Sequence, residues 1–188
     1  MVGALLAYAL ALVFFGLELM LRRGPGIRSP SRGELQRGNS LLIGVSYVLG
    51  LFLAPMLNML LVGKISPAIA SRAVGLGLMV LGLALRVWSM TTLGAFYTRA
   101  LMVSEGQTVV QDGPYRWIRH PGYLGSVLVW IGLPLSLANW IAAMAVVLLM
   151  GVAYGRRIRT EEAMLLREFG ADYLQYKRRT WRLIPFLF

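Results

Sequence analysis

The sequence predicts an all-α, polytopic integral membrane protein, and three observations carry that prediction. Of 188 residues, 57% are hydrophobic and only 14% charged, against about 25% charged in ordinary soluble domains. The apolar residues are gathered into blocks, the longest approaching the roughly 20 residues that cross a bilayer core. The 19 Lys and Arg side chains, which set a net charge of +11, flank those blocks mainly on one side. Such charge reads as orientation and contact with anionic headgroups, with no nucleic-acid partner expected. The length fits one domain over 1–188, with N-terminal spans in 1–70 and the motif-bearing part in 71–188. Cysteine is absent and His120 is the only histidine. That excludes disulfides, thiolate nucleophiles and His-rich metal centres, so no metal is expected.

Five spans are expected. Val2–Leu21 is the first, with Glu18 near its end. Arg22 and Arg23 follow it and no basic residue precedes it, the reverse of a cleavable signal peptide, so it is expected to be retained. Ser40–Val62 is the second, interrupted at Pro55. Ser71–Met90 is the third and carries GLGLMVLGLALR. Its small residues fall at helix-packing spacing, Gly75 and Gly77 included, and Arg86 sits toward its basic end. Leu124–Leu137 and Ala138–Tyr154, split near PLSLANW, are shorter than a full span and are expected to form a tight hairpin leaning on the others. Beyond them Ile158, Leu165, Phe169, Tyr173 and Tyr176 recur at spacings that include three, four and seven. That pattern predicts a cytoplasmic amphipathic helix over 156–179, continuing from the fifth span. Trp181, Phe186 and Phe188 would then lie at headgroup depth.

Loop charge sets the orientation. Sixteen cationic side chains fall in 22–39, 91–123 and the segment after 155, against Lys64 and Arg72 on the other side. The N-terminus is therefore expected outside and the C-terminus in the cytoplasm. The excess of arginine over lysine hints at a GC-rich prokaryotic genome, and hence an inner membrane.

Two polar clusters carry chemistry. The first is GPYRWIRHPGYLG, 113–125, where Gly113–Pro114 and Pro121–Gly122 make turns around Tyr115, Trp117, Arg119 and His120. Its plain reading is a juxtamembrane loop with belt aromatics. The second is RRIRTEEAMLLREF, 156–169, where Arg157 and Glu161 share a helix face. Its plain reading is a solvated ion pair. Yet the adjacent carboxylates Glu161 and Glu162 lie close to the membrane, where they are costly unless cations or donors meet them. The hairpin between the clusters returns the chain to the side it left. His120 and Tyr123 are therefore expected beside Arg157 and Glu161, in a small polar site open to lipid on the cytoplasmic side.

Taken together, GPYRWIRHPGYLG, an apolar hairpin, RIRTEE and FGADYLQYKRR resemble the isoprenylcysteine carboxyl methyltransferase family. The family pattern, G-x-Y-x-x-x-R-H-P-x-Y-x-G followed after a spacer by E-E, is present in order. Phospholipid methyltransferases are more distant relatives. The resemblance covers about Ser71 to Pro185. It implies an S-adenosylmethionine-dependent methyltransferase without a Rossmann domain, and the chain has no G-x-G-x-x-G following a strand. By the same resemblance, Gln107, Thr108, Val109 and Val110 would form a largely backbone wall for the methyl donor and Tyr115 would line its pocket. His120, Pro121, Gly122 and Tyr123 would hold its polar ends, and Glu161 would meet one of its donors. Arg157 would face the acceptor's anionic group, which makes Arg157 and Glu161 the implied catalytic pair. Gln107 stands where eukaryotic members commonly carry histidine.

The acceptor is expected to be lipophilic, reached from the bilayer: the carboxylate of a prenylated cysteine, or a comparable carboxylate or thiol. A terminal carboxylate has a reference pKa near ~3.5 and is already ionised at neutral pH, so no general base is needed. The alternative is N-methylation of a phosphatidylethanolamine headgroup, which needs a base, and His120 is the one side chain suited to it. A sterol-reductase-like use of NADPH would need a much longer chain. A non-catalytic lipid-binding protein is the reading from a different class.

Overall fold

The structure, a computed structural model, describes residues 2–20, 34–94 and 108–185. The order is α1 (Val2–Met20), α2 (Glu34–Met59), α3 (Ala68–Leu93), a 3-10 turn at Gly113–Arg116, α4 (Pro121–Ser136) and α5 (Trp140–Arg179). Two isolated β-bridges, Lys64 with Asn139 and Ile118 with Trp181, are the extended pairings among the described residues. Four helices are long and apolar enough to cross a membrane: α1, α2, α3 and α5. The shorter α4 is also apolar; its 16 residues extend about 24 Å. Leu5, Leu12, Phe52, Leu81 and Leu148 point outward and exposed, the dress of a surface that meets hydrocarbon rather than water.

Two expectations are corrected. Pro55 does not interrupt the second span, because α2 runs through it to Met59. The residue lies in the last turns, and neighbouring helices can satisfy the carbonyl it frees. The fifth segment is not short, because it continues, as expected, into the helix over 156–179. α5 runs 40 residues, about 60 Å, twice a bilayer core. Hydrophobicity ends near Tyr154, but Arg, Glu, Met and Leu are strong helix formers, so the helix continues where the apolar run stops. Its apolar first half can cross the membrane. Its charged second half, from Arg156, extends beyond and bends at Gly170, whose φ of 51° leaves the helical region.

α3 and α4 pack backbone to backbone. A Cβ at Gly75 would lie 2.6 Å from the Gly132 carbonyl oxygen, and one at Gly82 would lie 2.5 Å from that of Gly125. The glycines are seven apart on both helices, so each pair meets on the same faces two turns along. Gly77 faces open space, so of the two glycines in GLG only Gly75 packs. Around this seam Phe14, Phe15, Tyr47 and Trp130 form an aromatic cluster, with Tyr47 and Trp130 stacked at 4.5 Å. At the far end of the hairpin Asn139 is the hub. Its Oδ1 accepts from the Ala142 amide at the start of α5, and its Nδ2 donates to Asn58 Oδ1 and the Val62 carbonyl, each at 2.8–2.9 Å. Asn58 in turn donates to the Leu137 carbonyl. Asn139→Ala removes a cap and strands buried partners, a loss of about 1–3 kcal/mol, to be read as a lower melting temperature in detergent.

Candidate active site

The hairpin of α4 and α5 brings the two polar clusters together. His120 stands at the N-terminal boundary of α4 without a side-chain cap, Pro121 opens the first turn where a missing N–H costs nothing, and Tyr123 is the third residue of the helix. Arg157, Glu161 and Glu162 come down the returning α5. The Tyr123 hydroxyl accepts from Arg157 Nε at 2.7 Å and donates to Glu161 Oε2 at 2.6 Å. The Arg157 guanidinium also lies 5.5 Å from the Tyr123 ring centroid, within reach of a cation–π attraction. The imidazole of His120 runs parallel to the Tyr123 ring, 5.5 Å away, and Tyr154 closes the other side at 4.9 Å.

His120 is wedged between carboxylates. Its Nδ1 is 3.9 Å from Glu161 Oε2 and its Nε2 is 3.6 Å from Glu162 Oε1. Both exceed hydrogen-bond distance, and Nε2 is buried without a hydrogen-bond partner. Such an atom in a buried polar site calls for an explanation, and a bound water, ion or ligand would each supply a partner.

Glu162 belongs to a second layer. Its Oε1 accepts from Arg119 Nε at 2.9 Å and Arg182 Nε at 3.3 Å. Its Oε2 accepts from Arg182 Nη2 at 3.1 Å and lies 3.4 Å from Lys177 Nζ. Burial alone would raise its pKa, but the surrounding His120, Arg182 and Arg119 outweigh it and hold the carboxyl well below the usual range, so it stays ionised. Arg119 also donates to the Lys177 and Thr180 carbonyls. The segment after α5 folds back as a strap. The Trp181 amide donates to the Trp117 carbonyl, and the Arg119 and His120 amides donate to the carbonyls of Trp181 and Arg182. Tyr176 donates to the Tyr115 carbonyl at 2.8 Å. The loop carrying His120 is thus held by α5 and the strap on successive residues.

Of the residues singled out from the sequence, His120, Tyr123, Arg157 and Glu161 meet directly. Tyr115 is buried on the 3-10 turn. Pro121 and Gly122 are buried at the start of α4, where the Gly122 carbonyl already accepts from Arg86 and Ser126. Thr108 and Val109 line an open cleft of about 310 Å³ with Gln111, Phe169, Asp172 and Gln175, and Val110 is half-buried beside them. Gln107 lies outside the described residues, as do Phe186 and Phe188. Glu162 is marked in the sequence as a carboxylate in need of partners, with no role of its own, and its partners Arg119 and Arg182 are not evident there. Arg119 sits beside the histidine, a usable signal, whereas Arg182 lies twenty residues beyond Glu162 in a stretch with no periodicity.

The chain is similar to known membrane methyltransferases. The model of the isoprenylcysteine carboxyl methyltransferase family matches residues 74–167. A probable protein-S-isoprenylcysteine O-methyltransferase of Oryza sativa subsp. indica is 29% identical over 154 residues, covering 79% of this chain and 80% of the relative. The protein-S-isoprenylcysteine O-methyltransferase of Homo sapiens is 34% identical over 115 residues, covering 60% of this chain and 40% of the human protein. The solved structure of the eukaryotic intramembrane Ras methyltransferase superposes with a TM-score of 0.62 at 26% identity, over 86% of this chain. This chain spans just over half, 55%, of that protein.

Proposed function

The chain belongs to the isoprenylcysteine carboxyl methyltransferase family, and on that premise we propose that it methylates the carboxylate of a lipid-borne acceptor, a prenylated cysteine or a close analogue. S-adenosylmethionine is the donor this reading requires, and it supplies an electrophilic methyl on a sulfonium. The observation that carries the proposal is the joined set of His120, Tyr123, Arg157 and Glu161 at the mouth of the hairpin. The residues present suit such a donor: a buried imidazole nitrogen without a partner, a carboxylate still 24% exposed at Glu161, and the cleft beside Thr108 and Val109. His120 and Glu161 would meet the donor's polar ends, while Thr108–Val110 and Tyr115 would border the rest.

Arg157 would bind one oxygen of the acceptor carboxylate, leaving the other to attack in line. Its guanidinium is a fork matched to that group. Tyr123 would hold Arg157 in place through the hydrogen bond to Nε. Positioning of this kind supplies roughly 7–11 kcal/mol in favourable cases. The acceptor arrives ionised, so no residue need take a proton. We further propose five membrane helices, the N-terminus outside and the site at the cytoplasmic leaflet, an orientation supported by the cationic residues around the strap and the second half of α5.

The test is tritiated-methyl transfer from S-adenosylmethionine by purified protein, offered a farnesylcysteine analogue and phosphatidylethanolamine vesicles in parallel. Label in a base-labile methyl ester supports the reading. Faster labelling of the amine headgroup would favour phospholipid methylation, and labelling of neither would end the proposal.

A further inference from the structure

A second polar cluster lies deeper between the helices, on the side of the bundle that bears the site. Arg86 of α3 is buried and forms an ion pair with Glu18 of α1, itself buried. The same guanidinium donates through Nη1 to the Gly122 carbonyl at 3.0 Å and to Ser126 Oγ at 2.6 Å. It also sits over the Phe14 ring, 5.0 Å from the centroid. Ser126 Oγ donates to the same Gly122 carbonyl at 3.1 Å. Charges inside apolar spans are expensive, and those that persist generally serve a site. Here α1 supplies the counter-charge, α3 the cation, and the first two turns of α4 the acceptors.

The turn being gripped is the one that carries the site. Gly122 lies between Pro121 and Tyr123, two residues from His120. The strap and α5 hold this turn from one side, through the His120 amide and the Tyr123 hydroxyl. Arg86 holds it from the other. The close packing of Gly82 on Gly125 sits one helical turn away from Arg86, so α3 and α4 cannot slide without breaking either contact.

We propose that Glu18 and Arg86 are positioning residues: the pair sets the placement of the His120–Tyr123 turn and thereby the affinity for the methyl donor. This inference rests on the function proposed above and extends it to α1, which lies outside the matched residues 74–167. Glu18 keeps the Arg86 guanidinium from swinging toward another acceptor. Arg86 fixes the height of the Gly122 carbonyl, and the imidazole follows.

The test measures S-adenosylhomocysteine binding by calorimetry, together with melting temperature, for wild type, Glu18→Gln, Arg86→Lys, Arg86→Met and Tyr8→Phe in detergent. Tyr8 is the control, since its hydroxyl joins α1 to α2 through the Leu51 carbonyl and its loss leaves the hydrogen bonds to the Gly122 turn in place. Arg86→Met is expected to weaken binding at least about tenfold and Glu18→Gln about threefold or more. Arg86→Lys should fall between them, and Tyr8→Phe should match wild type. A merely structural pair would lower the melting temperature and leave the affinity of the folded fraction unchanged. Folded Glu18→Gln and Arg86→Lys proteins with wild-type affinity would therefore overturn the proposal, as would failure of all the Glu18 and Arg86 variants to fold. Absence of binding by wild type would instead overturn the methyltransferase reading itself.

Discussion

Arg157→Met is expected to cut kcat/KM for a lipid carboxylate acceptor by about 10²- to 10³-fold. Removing one partner of a buried, hydrogen-bonded charge pair costs roughly 2–5 kcal/mol, and each ~1.4 kcal/mol is a factor of ten. The methionine keeps an unbranched apolar stem but cannot donate to the Tyr123 hydroxyl, which now receives from Arg157 Nε at 2.7 Å. Arg157→Lys keeps the charge and loses the fork, so it should recover only part of the rate. Donor binding should change little, because Tyr123 still donates to Glu161 at 2.6 Å. Initial rates over a matrix of donor and acceptor concentrations separate the two effects. A loss confined to donor affinity would place Arg157 on the wrong side of the reaction.

Glu162→Gln should damage the fold rather than the chemistry alone. Its carboxylate is the shared counter-charge of Arg119, Arg182 and Lys177, and it is 5% exposed. Losing one partner from a buried ionic cluster costs about 3–5 kcal/mol. For a chain of this size that corresponds to about 6–20 °C of melting temperature. Freed from Glu162, Arg119 loses one of the contacts that hold the loop before α4, so donor binding should fall with it. Glu168→Gln, on an exposed turn of the same helix, is the control and should leave both readouts unchanged. Thermal unfolding in detergent and calorimetry with S-adenosylhomocysteine report the two losses.

The parts of this molecule that could be read beforehand are those a bilayer forces on a sequence. Long apolar runs disclosed α1, α2 and α3, because a backbone in hydrocarbon must be helical and covered. The hairpin disclosed that His120 and Glu161 would meet, because a chain that crosses and returns ends where it started. That α5 continues past its apolar run was legible from a different signal, the three-, four- and seven-residue spacing of Ile158, Leu165, Phe169, Tyr173 and Tyr176. Hydrophobicity ends near Tyr154, but helix formation does not depend on hydrophobicity, and the helix passes Gly155 and keeps helical backbone angles until Gly170. Partners were harder still. Periodicity tells which face of a helix is apolar but not which distant residue will face it, so Glu18 with Arg86 and Glu162 with Arg182 could be seen as isolated charges and not as pairs. The weak sequence signal for the first pair was that each is a lone ionisable group near the same end of its span. For Arg182 there was none.

The fold-back of residues 181 and 182 onto the loop before α4 has a consequence for biosynthesis. Chains are made from the N-terminus, so α1, α2 and α3 can be inserted while Arg182 is still inside the ribosome. At that stage Ile118 has no bridge, His120 lacks the carbonyl its amide donates to, and Glu162 has only part of its cationic shell. A nascent polypeptide is therefore anchored in lipid before its pocket exists, and the pocket closes only after translation has passed that point.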